Sequence, residues 1–529
     1  MKISQGSRIA GFVVACAVVA VSFSQYVSAQ AAIVDPAKMP RIGSVDERFQ
    51  SYNIEMVEVT GGRFWKPFDS QVKSTDAAQS GGNEPGGMNP NLYEYRAPID
   101  LSNSRLRKLA AALGPAYLRV SGTWANTTYF QNTDGPAAEK PPEGFKGVLT
   151  AGEWKGVVDF SKAANAALVT SFATSGGTRD SGGVWTPAEA EKVVAFTKSV
   201  GGQIAAAEFM NEPTFAEMGG APKGYDAKAF AQDITVFRAF AKRSARGMLL
   251  LGPGGVGEGS QLVPPSMHLL STADIFAATG PVFDVVSYHS YGAVSSRCGP
   301  PGSPGTTSEA AALSEEWLAR ADHIEQFYSA LRDRFEPGKP LWNTETAEAA
   351  CGGDRWAATF LDSFRYLDQL GDLARRGVQV QMHNTLAASD YGLLDEKTYE
   401  PRPDYWAALL WRTLMGTTVL DAGASTTPSL RVYAHCLRNH PGGVALLAIN
   451  TDRKQTQALD LPAGAERYSL TAPDLLSKQV QLNGSELRLG SDDALPTLAG
   501  EHEKVGKISL APASITFLAF PKAQNASCQ

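Results

Sequence analysis

Eight short apolar segments recur along residues 49–383, and their alternation with helical stretches limits the possible folds more than any other feature of the chain. They are Phe49–Met56, Ala116–Val120, Ala167–Ala173, Ile204–Phe209, Met248–Gly252, Val282–His289, Pro340–Glu345 and Val378–His383. Between them lie stretches with apolar residues three and four apart: Leu101–Leu113, Ala188–Val200, Lys228–Ser244, Glu315–Phe335, Phe360–Arg376 and Tyr405–Met415. Strands alternating with helices imply a parallel sheet, and eight of them fit an α/β fold of the (β/α)8 TIM barrel type. In such a barrel the strand C-termini carry the active site. Arg119, Glu212, His289, Tyr291, Glu345 and Asn384 all fall at those ends or just beyond.

After about Gly416 the pattern changes. Ser429–Cys436, Val444–Asn450, Gln457–Leu461, Arg467–Thr471, Leu487–Leu489, Ile508–Leu510 and Ile515–Phe520 are short strands separated by Gly, Pro, Asn and Asp, the pattern of an all-β sandwich. The expected organisation is a signal peptide at 1–29, a segment at 30–47 that pairs with the sandwich, a catalytic barrel at 48–415 and the sandwich at 416–529. Gly81–Pro90 and Gly299–Gly305 are read as loops on the active face of the barrel.

The leader follows from Lys2 and Arg8, the apolar run Ile9–Val21 and the small residues Val27-Ser28-Ala29. That run is too short to span a membrane, so the mature protein is expected to be free of the membrane and secreted or periplasmic, after cleavage near Ala29. Losing Lys2 and Arg8 takes the formal net charge from −6 to −8, which disfavours a nucleic-acid partner. Cys298, Cys351, Cys436 and Cys528 remain after cleavage, and four cysteines in an exported chain allow three pairings. With no Cys-x-x-Cys pair and no His-x-x-x-His helix, neither a metal nor any other cofactor is expected.

The chemistry centres on two carboxylates. The run Ile204–Phe209 empties into Asn211-Glu212-Pro213, and 133 residues later Pro340–Glu345 also ends on a glutamate. Paired carboxylates at the ends of separate strands are what acid-assisted glycoside cleavage needs. Glu212 is expected to be the general acid/base, its pKa raised by the neighbouring Glu345 charge, and Glu345 the nucleophile, kept ionised by Arg119. Asn211 is placed to bond the sugar 2-hydroxyl, Tyr291 to donate to Glu345, and His289 to line the same pocket. Glu348 competes with Glu345 for the nucleophile's role but ranks below it because it falls past the expected strand.

These residues resemble clan A glycoside hydrolases, and more closely family 79, the heparanase and β-glucuronidase family. The resemblance is carried by Tyr117–Thr123, Glu208–Pro213, Tyr288–Tyr291, Asn343–Thr346 with Gly352-Gly353, Asp404-Tyr405-Trp406 and, in the sandwich, Leu475–Gly484. It implies a retaining hydrolase of β-D-glucuronide linkages, heparanase-like and endo-acting on heparan-sulfate-type polysaccharide, working as a monomer. Its substrate would be a poly- or oligosaccharide containing β-glucuronic acid. It also implies that Tyr391 and the Cys351-Gly352-Gly353 turn bind the uronate carboxylate, and that Cys436 pairs with Cys528. Cys298 and Cys351 both follow strands on the active face, where a second bridge could staple two loops. The chain departs from the animal enzymes in Ala350-Cys351, where they carry a tyrosine, and in lacking their excised linker between Tyr129 and Phe160. Lys66, Lys155, Arg179, Arg297 and Arg355 are candidates for contacting a sulfated chain. Other readings are an exo-β-glucuronidase, a xylanase or arabinofuranosidase, and a non-catalytic carbohydrate-binding protein.

Overall fold

The computed structural model describes residues 32–70, 88–133, 135–260, 262–263, 267, 269–299, 302, 305–423 and 427–529. The expected leader at 1–29, residues 81–87 of one Gly/Pro-rich loop and residues 300, 301, 303 and 304 of the other lie outside the described residues. No helix among the described residues is long and apolar enough to cross a membrane.

A closed parallel barrel forms from β1 (Gln50–Glu55), β2 (Ala116–Ser121), β3 (Ala166–Ser171), β4 (Ile204–Glu208), β5 (Leu249–Gly255), β6 (Val285–Val294), β7 (Leu341–Ala350) and β8 (Val380–His383). Neighbours in sequence are neighbours in space, and β8 closes on β1 with His383 opposite Tyr52. The strands read as apolar runs because both faces are covered, and all six residues of β1 are buried. Val169, Ala206, Leu251, Val285, Trp342, Val380 and Met382, from six different strands, make one cluster that fills the barrel floor.

The structure corrects several element expectations. Both β6 and β7 run past their expected ends, to Val294 and Ala350, so Tyr291 and Glu348 lie within strands. The helix Ala151–Ala163, between β2 and β3, was absent from the helical pattern because Gly152 and Gly156 dilute its apolar spacing. Its start was nonetheless marked, since Thr150 and Glu153 form a reciprocal capping box. Leu487–Leu489 is not a strand. The chain instead turns at Asn483-Gly484, both at positive φ (50° and 78°), between the short strands Gln481–Leu482 and Ser485–Glu486.

The C-terminal sheets pack on the barrel through two helices, Pro403–Leu414, whose Trp411 meets His435 edge-on at 5.2 Å, and Phe360–Arg375, whose residues up to Ala374 are all buried. The first free N–H groups of Phe360–Arg375 are met from the sandwich: Phe360 N donates to Ser477 O at 2.9 Å and Leu361 N to Leu475 O at 2.7 Å. Strand Val444–Asn450 shows the layering. Val444, Leu446 and Ala448 join the sandwich core, while Ala445, Leu447 and Ile449 join the core shared with the barrel. The segment before the barrel reaches the same region, with Arg41–Ser44 antiparallel to Met415–Leu420 and Ala32–Ile33 parallel to Gln457–Leu461. Cys436 and Cys528 are disulfide-bonded, as are Cys298 and Cys351, with Cα separations of 5.3 and 6.5 Å.

Candidate active site

Glu212 follows β4 in a left-handed conformation (φ 49°, ψ 63°), and Pro213–Phe215 then make a 3-10 turn. A non-glycine residue held there costs about 1–3 kcal/mol, so its surroundings must over-determine it. They do. Phe215 N donates to Glu212 O at 2.9 Å, and Asn126 grips the preceding residue twice. Its Nδ2 donates to Asn211 O at 2.9 Å and its Oδ1 accepts from Asn211 N at 2.8 Å. The tight reversal places the Glu212 carboxyl at the mouth of the barrel.

Glu345, on β7, is held at both oxygens. Tyr291 Oη donates to Oε1 at 2.6 Å and Arg119 Nη1 to Oε2 at 2.8 Å. Arg119 is itself almost fully buried and bonds Glu208 Oε2 through Nε at 3.0 Å and Nη2 at 2.8 Å. Its Nη2 also donates to Asn211 Oδ1 at 2.7 Å. Ser287 and Thr344 hydroxyls complete Glu208, each donating to Oε1 at 2.8 Å.

Below the mouth, His289 Nδ1 lies 3.1 Å from Glu212 Oε1 and 3.6 Å from Glu345 Oε2. Burial and the guanidinium 3.2 Å from its Nε2 oppose its charge, but Glu345, Glu208 and Glu212 outweigh them and push its pKa up to about 9. Burial likewise opposes ionisation of Glu208, yet Arg119 holds that carboxyl well below the usual range. Glu212 shifts the other way. Burial and the Glu345 charge raise it, against the hydrogen bond from His289. One oxygen from each of Glu212 and Glu345 and one His289 nitrogen lie within 4.8 Å of one another. Such a trio is compatible with a cation by type alone, but the Arg119 guanidinium 2.8 Å from Glu345 already supplies positive charge there.

The cavity above holds about 400 Å³ and is lined, among others, by Glu55, Glu212, Tyr291, Glu345, Asn384 and Tyr391. Asn384 Nδ2 reaches Glu55 Oε1 at 3.1 Å, Tyr291 Oη at 3.1 Å and Tyr391 Oη at 3.3 Å. Of the residues expected at the site, Arg119, Asn211 and His289 form the buried layer under this cavity. Gly352 and Gly353 sit behind its wall at φ 81° and 87°, and Ala350 and Cys351 line it in their place. A Cβ on Gly352 would come within 2.4 Å of Trp65 Cβ, so close packing as well as backbone conformation requires glycine.

Glu348 is excluded by pleat rather than by position past a strand. Three residues from Glu345 on one strand, it points to the opposite face, where it is fully buried and accepts the Asp354 N–H at 2.5 Å. Three functional residues were missed: Glu55, Glu208 and Asn126. Glu208 was legible as the one charge inside an apolar strand, and Glu55 as the acid closing the first strand. Asn126 left no signal. Glu55 lies against Gly122 (φ 90°), where a Cβ would fall 1.5 Å from Glu55 Oε2. Burial and the Glu345 charge raise its pKa well above the carboxylate range.

The basic candidates are occupied elsewhere. Arg179 pairs with Asp233 at 2.8 Å, Lys155 with Asp159 on the same helix at 2.5 Å, and Arg297 with Asp390. Arg355 lies over the Phe68 ring. Neither these nor Lys66 lines the cavity.

Comparisons with known proteins place the chain in a family. The model for "Glycosyl hydrolase family 79, N-terminal domain" matches residues 97–371, just over half of the chain. The chain is 26% identical to heparanase-like protein 1 of Arabidopsis thaliana, over 82% of this chain and 87% of that protein. It is 34% identical to Gallus gallus heparanase over 47% of each chain. It is 26% identical to a Hirudo nipponia hyaluronoglucuronidase, over 82% and 92%. Among solved structures, a Fusarium oxysporum 4-O-α-L-rhamnosyl-β-D-glucuronidase superposes with a TM-score of 0.60 at 16% identity, covering 92% of this chain and 99% of that one. At that identity the likeness concerns the fold.

Proposed function

The chain belongs to glycosyl hydrolase family 79, and from that premise we propose that it is a retaining β-glucuronidase with Glu212 as general acid/base and Glu345 as nucleophile. The observation that carries this is the close approach of two carboxyls in different surroundings. Glu345 is gripped by Arg119 and Tyr291, while Glu212 is raised towards its protonated form. A gap within 4.8 Å between one oxygen of each suits direct attack on the sugar, whereas inversion needs room for a water, about 6.5–9.5 Å between carboxyls.

In the first step Glu345 attacks the anomeric carbon as Glu212 passes its proton to the leaving oxygen, giving a covalent glycosyl-enzyme. Glu212 is then anionic, and the adjacent His289 steadies that charge. In the second step Glu212 takes a proton from water, which attacks the same carbon from the face the leaving group vacated as the bond from that carbon to Glu345 breaks and its carboxylate is freed. Asn211 Nδ2 has only a 3.5 Å contact with Thr123 Oγ1, so it remains available to donate to the sugar 2-hydroxyl. Tyr391 Oη, which accepts from Asn384 and keeps its own hydrogen, gives the cavity a hydroxyl donor on the side away from Glu212, where a uronate carboxylate would lie.

Relatives bearing the names heparanase, hyaluronoglucuronidase and baicalin-β-D-glucuronidase share the glucuronide and differ in what leaves it. Internal cleavage of a heparan-sulfate-type chain is the second reading, favoured by the heparanase relatives. The proposal includes export after cleavage near Ala29, which two disulfides suit, the expected division into barrel and sandwich, and a monomer, since one copy supplies every site residue named. The test is hydrolysis of paired aryl β-glucuronide and β-glucoside with NMR of the first-formed sugar. Preferred release of β-glucuronic acid supports the reading; α-product or equal turnover refutes it.

A further inference from the structure

The position of the general acid divides the cavity in two. Glu212 ends the segment after β4, so the group that receives its proton lies over the loops following β4 and β5. The sugar lies across the barrel, towards Glu345, Asn384 and Tyr391 on β7, β8 and beyond. The leaving-group side is apolar. Phe215 and Met218 follow Glu212 directly, and Val256, Leu262, Val263 and Met267 follow β5.

These two loops form one wall. Thr214 Oγ1 donates to Val256 O and accepts the Val256 N–H, each at 3.1 Å, and so locks the turn carrying Phe215 to the end of β5. Gly257, at φ 82°, lets the wall close, because a Cβ there would fall 2.6 Å from Val263 Cγ2. Met267 remains half exposed at its rim. Among the described residues lining the cavity there is no lysine or arginine, and the acidic groups present are the carboxyls of Glu55, Glu212 and Glu345. A sulfated or carboxylated leaving group would lose its hydration against this wall without gaining a cationic partner, whereas an apolar ring would gain burial.

We propose that the natural leaving group is a compact apolar aglycone, aromatic or alicyclic, so that the enzyme releases glucuronic acid from small hydrophobic glucuronides. This rests on the β-glucuronidase reading above and narrows it.

The test uses three coumarin β-glucuronides that leave through the same 7-oxygen and differ at the far 4-position: 4-phenyl, 4-methyl and 4-acetate. A hydrophobic wall should rank kcat/KM as phenyl, then methyl, then acetate, with about tenfold or more between the extremes, carried mainly by KM. Met267→Lys, at a half-exposed position that tolerates charge, should shrink or reverse that ranking in favour of the acetate. Equal kcat/KM for all three in the parent enzyme would overturn the apolar wall and leave the glucuronidase intact. Shortening of heparan sulfate chains as efficiently as the phenyl compound is cleaved would do the same. If none of the three is hydrolysed, both readings fall.

Discussion

Arg119 and Glu345 meet at 2.8 Å with both side chains almost wholly out of water, and the other edge of the same guanidinium is closed by Glu208. One cation therefore serves two carboxylates, one structural and one poised for chemistry. Removing the structural partner leaves a buried charge half-compensated. Glu208→Ala should cost about 3–5 kcal/mol in denaturant unfolding. It should also lower kcat, as Arg119 loses the partner that holds its plane against Glu345. A variant as stable as the parent would show that Glu208 contributes little.

The pH dependence of stability should be asymmetric. The folded protein holds the His289 proton to about pH 9 against an ordinary 6.5, so that contribution is complete below about 6.5 and disappears as pH rises through about 9. Glu208 works in the opposite sense: its depressed pKa gives stability that is complete above the ordinary 4.5 and is lost as pH falls. The raised carboxyls of Glu55 and Glu212 act in the same sense as His289, but their contribution starts to be lost as pH rises past the ordinary 4.5. Stability should thus be greatest near about pH 5 and decline towards about pH 10. In His289→Gln the alkaline decline should be smaller by on the order of 3 kcal/mol. Unfolding curves for both proteins at the two ends of that range check it; parallel declines would contradict it.

Much of this site was legible in the chain, for a physical reason. Barrel strands are covered on both faces, so they appear as apolar runs, and function gathers where such runs end. Glu212, Glu345 and Arg119 were found that way. Other features depend on tertiary pairing that periodicity does not carry. The extensions of β6 and β7 each begin on a hydroxyl residue that interrupts the apolar run, and Ser290 bonds Thr346 at 3.2 Å inside the wall, with Gln369 reaching Thr346 at 2.9 Å. Glu55 acquires its place from Asn384, far along the chain. Arg297, on a promising loop, proves to be held by Asp390 and the Gly353 carbonyl.

Specificity for the uronate should reside partly in Tyr391. Tyr391→Phe removes the hydroxyl but keeps the ring packed against the cavity, so turnover of an aryl glucoside should change little. Preference for the glucuronide should fall about tenfold or more, since a carboxylate would lose a donor it cannot replace. An unchanged glucuronide-to-glucoside ratio would remove Tyr391 from the carboxylate site.

Asn211 and Glu212 should separate kinetically. Asn211→Ala should lower kcat about 10²–10³-fold whatever the leaving group, as expected for a donor that tightens on the oxocarbenium-like transition state. Glu212→Ala should spare substrates with acidic leaving groups and cripple those with basic ones, and azide should restore it, giving the β-glucuronosyl azide. A leaving-group dependence equal to the parent's would rule out Glu212 as the acid.

The central claim, a covalent intermediate on Glu345, is tested most directly by trapping it. A 2-deoxy-2-fluoro-β-glucuronosyl fluoride slows both steps, and its good leaving group lets the intermediate accumulate. Intact mass should rise by one sugar, and peptide mapping should place that sugar on Glu345, with no label in Glu345→Gln. A label on Glu348 or Glu55, or turnover without any label, would contradict the account.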